Sequence, residues 1–411
     1  MNTKEHDRLK DLILLSNEMS EVKDLDVLME RVLASAREFV NCDAGSIYIV
    51  QGDQLQFSYS QNDTFAGRLK PGEKLIYTTF SMPITSKSIA GHVAISGEIL
   101  NIEDAYDLPD SCTCRFDKSY DESANYRTRS ILTVPLKTSV GKIIGVLQLI
   151  NAKDDRGQIV RFEQELEPFV LYFANSAAGA LERAQLMRQT LLRMISMAEL
   201  RDPKETGNHV NRVGGYAVEI YEVIAKKKGT DPHEIDRNRD LLRMAGMLHD
   251  VGKVAISDLI LKKPARLDQD EYEIMKQHTV LGARLFRSPS SELDIASRDV
   301  ALNHHERVDG RGYPGFVDMM TGEPLPGYVT DEGKARGKSG DEIPLFGRIV
   351  ALADVYDALS NKRSYKDAWR EEDVLEDITK NRGTQFDEDV VDAFFACLPN
   401  LKSLAQRYCD E

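Results

Sequence analysis

The sequence predicts two domains of different class, an α+β sandwich in the first half and an all-helical second half, joined by a long helix. Three observations carry that prediction. Short β-branched and aromatic runs broken by Gly, Asp and Asn fill the region up to about residue 155. Apolar residues recur at helical spacing before and after those runs, and beyond residue 200 loops are expected only where Gly and Pro gather. At 411 residues the chain can bury two separate cores.

Taken in order, residues 1–24 read as an N-terminal helix, and the spacing of Leu25, Leu28, Met29, Val32 and Leu33 predicts that helix continues to about residue 40. SIYIV (46–50), QLQFSYS (54–60), SILTVPLK and KIIGVLQLINA read as strands of one sheet, and SKSIAGHVAISGEILNIEDAY as a short helix followed by a strand. Together these place the sandwich at 25–175. Over 165–200, Ala177, Leu181, Ala184, Leu191, Ile195 and Ala198 step by threes and fours, with Arg188 interrupting the seam. This connecting helix reads as a parallel coiled coil and so predicts a homodimer; the alternative is a single helix packed on its own domain. The helical domain is expected over 200–405.

An apolar fraction of 42%, a charged fraction of 29% and a net charge of −14 describe an acidic protein whose field repels nucleic acid, so no nucleic-acid polymer is expected as partner. An anionic substrate must be drawn by local charge. No long apolar run and no signal-like start is present, which predicts a cytoplasmic protein without membrane contact. The five cysteines, Cys42, Cys112, Cys114, Cys397 and Cys409, are odd in number and scattered, so reduced thiols are expected.

Five of the eight histidines stand beside carboxylates in the second half. Glu205 and His209 are four apart and share one helix face. RMAGMLHDVGK delivers His249 and Asp250 together, and adjacent helical side chains diverge by about 100 degrees, so the pair can serve or bridge two ions. Lys253 follows on the Asp250 side. His278 lies in EIMKQHTVLGARLF, where a lone His would more often be a core residue, but its company favours a ligand. His304 and His305 end a helix before the turn-rich DGRGYP, and Asp354 sits in an apolar helix where an unpaired carboxylate is costly. Eight nitrogen and oxygen donors without nearby cysteine suit two or three hydrolytic metal ions.

HDVGK, HHERVDGRGYP and ALADVYDAL, in that order, resemble the HD-GYP family of the HD phosphohydrolase superfamily over about 190–405. The resemblance implies an all-α, metal-dependent fold with two or three divalent ions, commonly iron or manganese. It also implies hydrolysis of cyclic di-GMP to pGpG and onward to GMP, through water activated by metal. By the same resemblance Glu205, His209, His249, Asp250, His278, His304, His305 and Asp354 are metal ligands, and Asp250 and Lys253 are catalytic. Lys253, Tyr313, Arg363 and Lys366 contact substrate, and the GYP loop offers a surface for a diguanylate cyclase (GGDEF) partner. One departure is the long stretch 315–342 after GYP, expected to be a solvated insertion, with a lid as the alternative.

SIAGHVAISGEILNIEDAY, RFDKSYDESANYRTRSILTVPLK and GKIIGVLQLINAK resemble a GAF domain, with the middle stretch similar to GAF domains that bind cyclic nucleotides. Sensor and dimerisation platform both remain open for it. The arrangement implies regulation of the catalytic half by the GAF half through the connecting helix. Two other functions remain: a hydrolase of another cyclic dinucleotide such as 3',3'-cGAMP, and an idle dinucleotide- or partner-binding module.

Overall fold

The computed structural model describes residues 10, 13–17, 19, 22–68, 80–108, 113–199, 207–361 and 369–408. The chain divides into two compact units, Met1–Arg188 and Gln189–Glu411.

In the first unit, helix α1 (Leu25–Val40) begins at Asp24, whose carboxylate accepts from the amides of Asp26 and Val27, and ends at Asn41 in the left-handed region. Strands β1 (Cys42–Gln51) and β2 (Gln54–Asn62) form a hairpin across Gly52, which takes a positive φ of 62°. Then follow α2 (Asp63–Ala66), β3 (Ser81–Pro83), α3 (Ile89–Ser96), β4 (Leu100–Ile102), α4 (Ser119–Ala124), β5 (Ile131–Lys137), β6 (Ile143–Lys153) and β7 (Ile159–Val160). The seven strands make one antiparallel sheet in the order β3-β2-β1-β6-β5-β4, with β7 beside β6.

Strand alternation gives the sheet two buried faces. Ile47, Ile49, Leu132, Val134, Leu136, Leu147 and Leu149 share a core with α1 and with the following helix α5 (Glu167–Glu199). Val146 turns the other way, to Leu55 and to Ala90 and Val93 of α3. The sandwich is therefore a sheet between helices.

The seam on α5 is used within the chain. Ala177, Leu181 and Ala184 are buried in the core of the first unit, and Leu191 and Ile195 are buried with Val210, Met244, Met247 and Leu248 of the second. Arg188, the interruption, meets Asp26 at 3.1 Å, both side chains being largely buried. This favours the packed-helix alternative for that seam over a dimeric coil. The cysteines also depart from expectation: Cys114 is disulfide-bonded, while Cys42 and Cys397 are free and buried.

The second unit contains α6 (Gly207–Lys227), α7 (Pro232–Met247), a 3-10 turn (Val251–Ala255), α8 (Asp258–Leu261), α9 (Gln269–Lys276), α10 (His278–Leu285), α11 (Glu292–Asn303), α12 (Leu345–Ser360), α13 (Glu371–Lys380) and α14 (Glu388–Arg407). Tyr216 and Ile220 of α6, Leu242 of α7, Val300 of α11, Ile349 and Leu352 of α12, and Phe394 of α14 meet in its core. No helix among the described residues is long and apolar enough to cross a membrane.

The stretch 315–342 is folded rather than loosely solvated. Phe316 and Tyr328 stack at 4.0 Å, and the Arg336 guanidinium lies over both rings while pairing with Glu342. Buried Glu306 ties its ends, accepting from the amide of Gly315 at 2.6 Å and of Lys338 at 3.2 Å. The segment packs on α10 through Arg284, which donates to the Met319 carbonyl at 2.8 Å.

Candidate metal centre

Five short stretches converge in the second unit. The first turn of α6 brings His209. Helix α7 stops at Met247, so His249 and Asp250 project from the turn that follows it rather than from the helix itself. Gly252 makes this turn possible: a Cβ there would lie 1.9 Å from the His278 carbonyl, so only glycine lets the turn press against the start of α10. His278 is the first residue of α10, and His304 and His305 follow the last residue of α11. Asp354 lies in the middle of α12, with Asp357 one turn later on the same face.

These side chains form two adjoining donor groups. Ligand atoms of Asp250, His278, His304 and His305 all lie within 4.8 Å of one another, and so do those of His209, His249 and Asp354. Asp250 stands between the groups, its Oδ2 at 3.1 Å from His249 Nε2 and its Oδ1 at 3.1 Å from His278 Nε2 and 3.5 Å from His304 Nε2. Asp354 Oδ1 lies 3.6 Å from His209 Nε2 and 3.8 Å from His249 Nε2. Two donors that each bind one ion at about 2.1 Å stand about 3.0 Å apart at a right angle and about 3.4 Å apart in a tetrahedron, so these spacings fit shared cations.

Proton placement strengthens that fit. His278 Nδ1 lies 2.8 Å from the Met275 carbonyl, and His304 Nδ1 lies 3.1 Å from that of Ala301. A carbonyl only accepts, so each Nδ1 carries a proton, and in the neutral ring that a cation requires each Nε2 presents a lone pair. Those two lone pairs face each other at 3.4 Å and face Asp250 Oδ1, in a region where His278 and His304 are 1% and 2% exposed. Acceptors turned on one another in a buried space call for a positive charge between them.

The electrostatics run the same way. Burial pushes the Asp250 carboxyl pKa up, but Lys253 and His249 outweigh it and hold it well below the ordinary carboxylate value. Burial drives the His304 pKa down, and drives that of His305 well down with help from neighbouring imidazoles, which favours the neutral form of both rings. Lys253 Nζ donates to Asp250 Oδ2 at 2.6 Å, at the rim of the cluster. Tyr313 packs on His305 with ring centres 4.9 Å apart, and Lys276 Nζ lies 5.5 Å above its ring.

Seven of the eight expected donors and Lys253 and Tyr313 are thus gathered; Glu205, Arg363 and Lys366 lie outside the described residues. The sequence reading missed Asp357 and Arg212. His209 Nδ1 is 2.8 Å from Asp357 Oδ2, and Arg212 donates to both oxygens of Asp357 from Nε at 2.6 Å and Nη2 at 3.0 Å. Their signal was present as three-residue spacings, His209 to Arg212 and Asp354 to Asp357, each placing a second charge one turn from a ligand.

Residues 24–181 match the GAF domain family and residues 206–359 the HD domain family, with a further HD-domain match over residues 329–390. The chain carries a GAF domain followed by an HD domain. Its HD domain includes all seven gathered donors. The chain is 36% identical over 248 residues to a probable cyclic di-GMP phosphodiesterase of Vibrio cholerae, covering 57% of this chain and 49% of the relative. It is 34% identical over 256 residues to a 3'3'-cGAMP-specific phosphodiesterase 2 of the same organism, covering 58% and 43%. A cyclic di-GMP phosphodiesterase of Thermotoga maritima is 34% identical over 221 residues, covering 54% and 51%. The chain spans about half the length of these relatives.

Proposed function

We propose that the chain is an HD-GYP-type phosphodiesterase that hydrolyses cyclic di-GMP to pGpG and onward to GMP, using two or three divalent ions, iron or manganese. The observation that carries this is the convergence of Asp250 with the lone pairs of His278 and His304, beside the second group of His209, His249 and Asp354. Bound ions would supply Lewis acidity toward a phosphodiester and lower the pKa of a water molecule. His305 completes the first group, and Asp250 spans both. Glu205 is the added ligand of a three-ion site. Lys253 holds its ammonium at the rim, where it neutralises charge growing on nonbridging phosphate oxygens. Tyr313, Arg363 and Lys366 contact the dinucleotide, local cations offsetting the acidic surface.

A second reading, 3',3'-cGAMP as substrate, is favoured by the cGAMP-specific relative. The two substrates share their phosphates and differ in one purine, so the metal donors serve both equally. Protein purified without oxygen, assayed for metals per chain and for cleavage of both dinucleotides, decides between them. Cleavage of neither by the metal-loaded chain defeats the proposal and leaves the idle binding module.

Regulation by the GAF domain would run through α5, one uninterrupted helix of 33 residues. With the seam covered, a homodimer would use the exposed flank of that helix, where Tyr172, Leu186 and Met187 are uncovered. Removal of residues 1–160 should change turnover and oligomeric state; unchanged values refute both. The protein is placed in the cytoplasm, with a GGDEF-domain cyclase as a partner at the GYP loop.

A further inference from the structure

Among the imidazoles of the two donor groups, His209 is aimed by different means from His249, His278 and His304. His249, His278 and His304 are oriented by neutral backbone carbonyls, those of Gly246, Met275 and Ala301, at 2.8, 2.8 and 3.1 Å. These contacts follow from local backbone geometry and survive most side-chain changes. His209 is oriented by a side chain from another helix, Asp357, at 2.8 Å.

That carboxylate is itself held firmly. Asp357 is 2% exposed and accepts from Arg212 at both oxygens and from Asn361 Nδ2 at 3.0 Å. Arg212 is equally buried, and its remaining branch, Nη1, donates to the Tyr408 carbonyl at 2.7 Å, just past the end of α14. A line of charge-assisted contacts therefore runs from the end of the last helix through Arg212 and Asp357 to one imidazole.

We propose that Asp357, fixed by Arg212, is a positioning residue for His209, and that it makes the cation position of His209, His249 and Asp354 separable from that of Asp250, His278, His304 and His305. The inference rests on the metal reading above. An ionised carboxylate behind an imidazole fixes its tautomer and raises its basicity toward a cation, which a neutral carbonyl does less. Removing such a partner typically weakens metal binding about 10- to 100-fold. Here that loss falls on one position of the two.

The test is a manganese titration of the full chain and its Asp357→Asn variant, read by metal per chain and by the paramagnetic resonance of the bound ions. Asp357→Asn keeps size and shape but removes the charge. One ion should bind about 10- to 100-fold more weakly with the other unchanged, and the signal of a coupled pair should give way to that of an isolated ion. In a His209→Gln background the same substitution should weaken binding no further. Equal loss at both positions, no loss, or an additive loss in that background overturns the inference. If Asp357→Asn does not fold because Arg212 is left unpaired, the double substitution Asp357→Asn with Arg212→Leu removes that charge and reads the same titration. A native chain that binds no manganese or iron sinks the metal reading itself, whereas native binding with an unchanged variant sinks only this inference.

Discussion

Each domain buries an aspartate, and the two are treated in opposite ways. In the GAF domain Asp43 meets donors at both oxygens: Lys153 Nζ at 2.5 Å on Oδ1, with the Tyr126 hydroxyl at 2.7 Å and the Thr64 hydroxyl at 2.8 Å on Oδ2. In the HD domain Asp250 has Lys253 on one side, but its inner oxygen faces imidazole lone pairs. The first arrangement is complete as it stands and fastens β1 to its neighbours. The second fits a site that cations complete. A satisfied buried carboxylate builds structure; one surrounded by acceptors builds a site.

The sharpest way to break this contrast is Asp250→Ala, which should cut phosphodiester cleavage at least about 10³-fold and lower metal per chain, while the melting of the GAF domain stays as it was. Turnover that survives would place the chemistry elsewhere. Next, Gly252→Ala forces a methyl group into the His278 carbonyl, 1.9 Å from the ideal Cβ. It should cost the HD domain about 3 kcal/mol in denaturant unfolding and reduce metal content with it. If, as proposed, the lysine acts on the phosphate and not as a ligand, Lys253→Met should lower kcat about 10²-fold with metal content intact.

On the GAF side the effects are smaller and purely structural. Asp43→Asn weakens the contact to Lys153 and should destabilise that domain by about 2 kcal/mol, seen as an earlier GAF transition with unchanged metal binding. A pH series refines the comparison. Burial raises the Asp43 pKa, but Lys153, Tyr126 and Thr64 outweigh it and the net value lies below the ordinary 3.8. The unfolded chain therefore takes up the proton first. The stabilisation is full above about pH 4 and fades as pH falls through the lower native value, and Asp43→Asn should abolish this part of the acid sensitivity.

Much of the site was legible because a ligand must be of a certain type. Asp354 is costly in an apolar helix unless a cation offsets it, and the company of His249-Asp250 and His304-His305 pointed to a metal. Asp357 was signalled only by its spacing from Asp354, which does not set it apart from a helix-surface charge until the fold buries it beside Arg212. The seam of α5 left two alternatives open for a related reason. Periodicity reports that one helix face is apolar and says nothing about what covers it, and here the chain's own two cores do so.

The amino-acid sequence on its own determined the classes of the two halves and offered the candidate donors, because hydrophobic period and ligand chemistry are local properties. Tertiary structure alone decided how the donors divide into two groups, which nitrogen of each imidazole points inward, and which buried charge steadies His209. Those depend on distances between residues as far apart as His209 and Asp357, which only the packing of α6 against α12 sets.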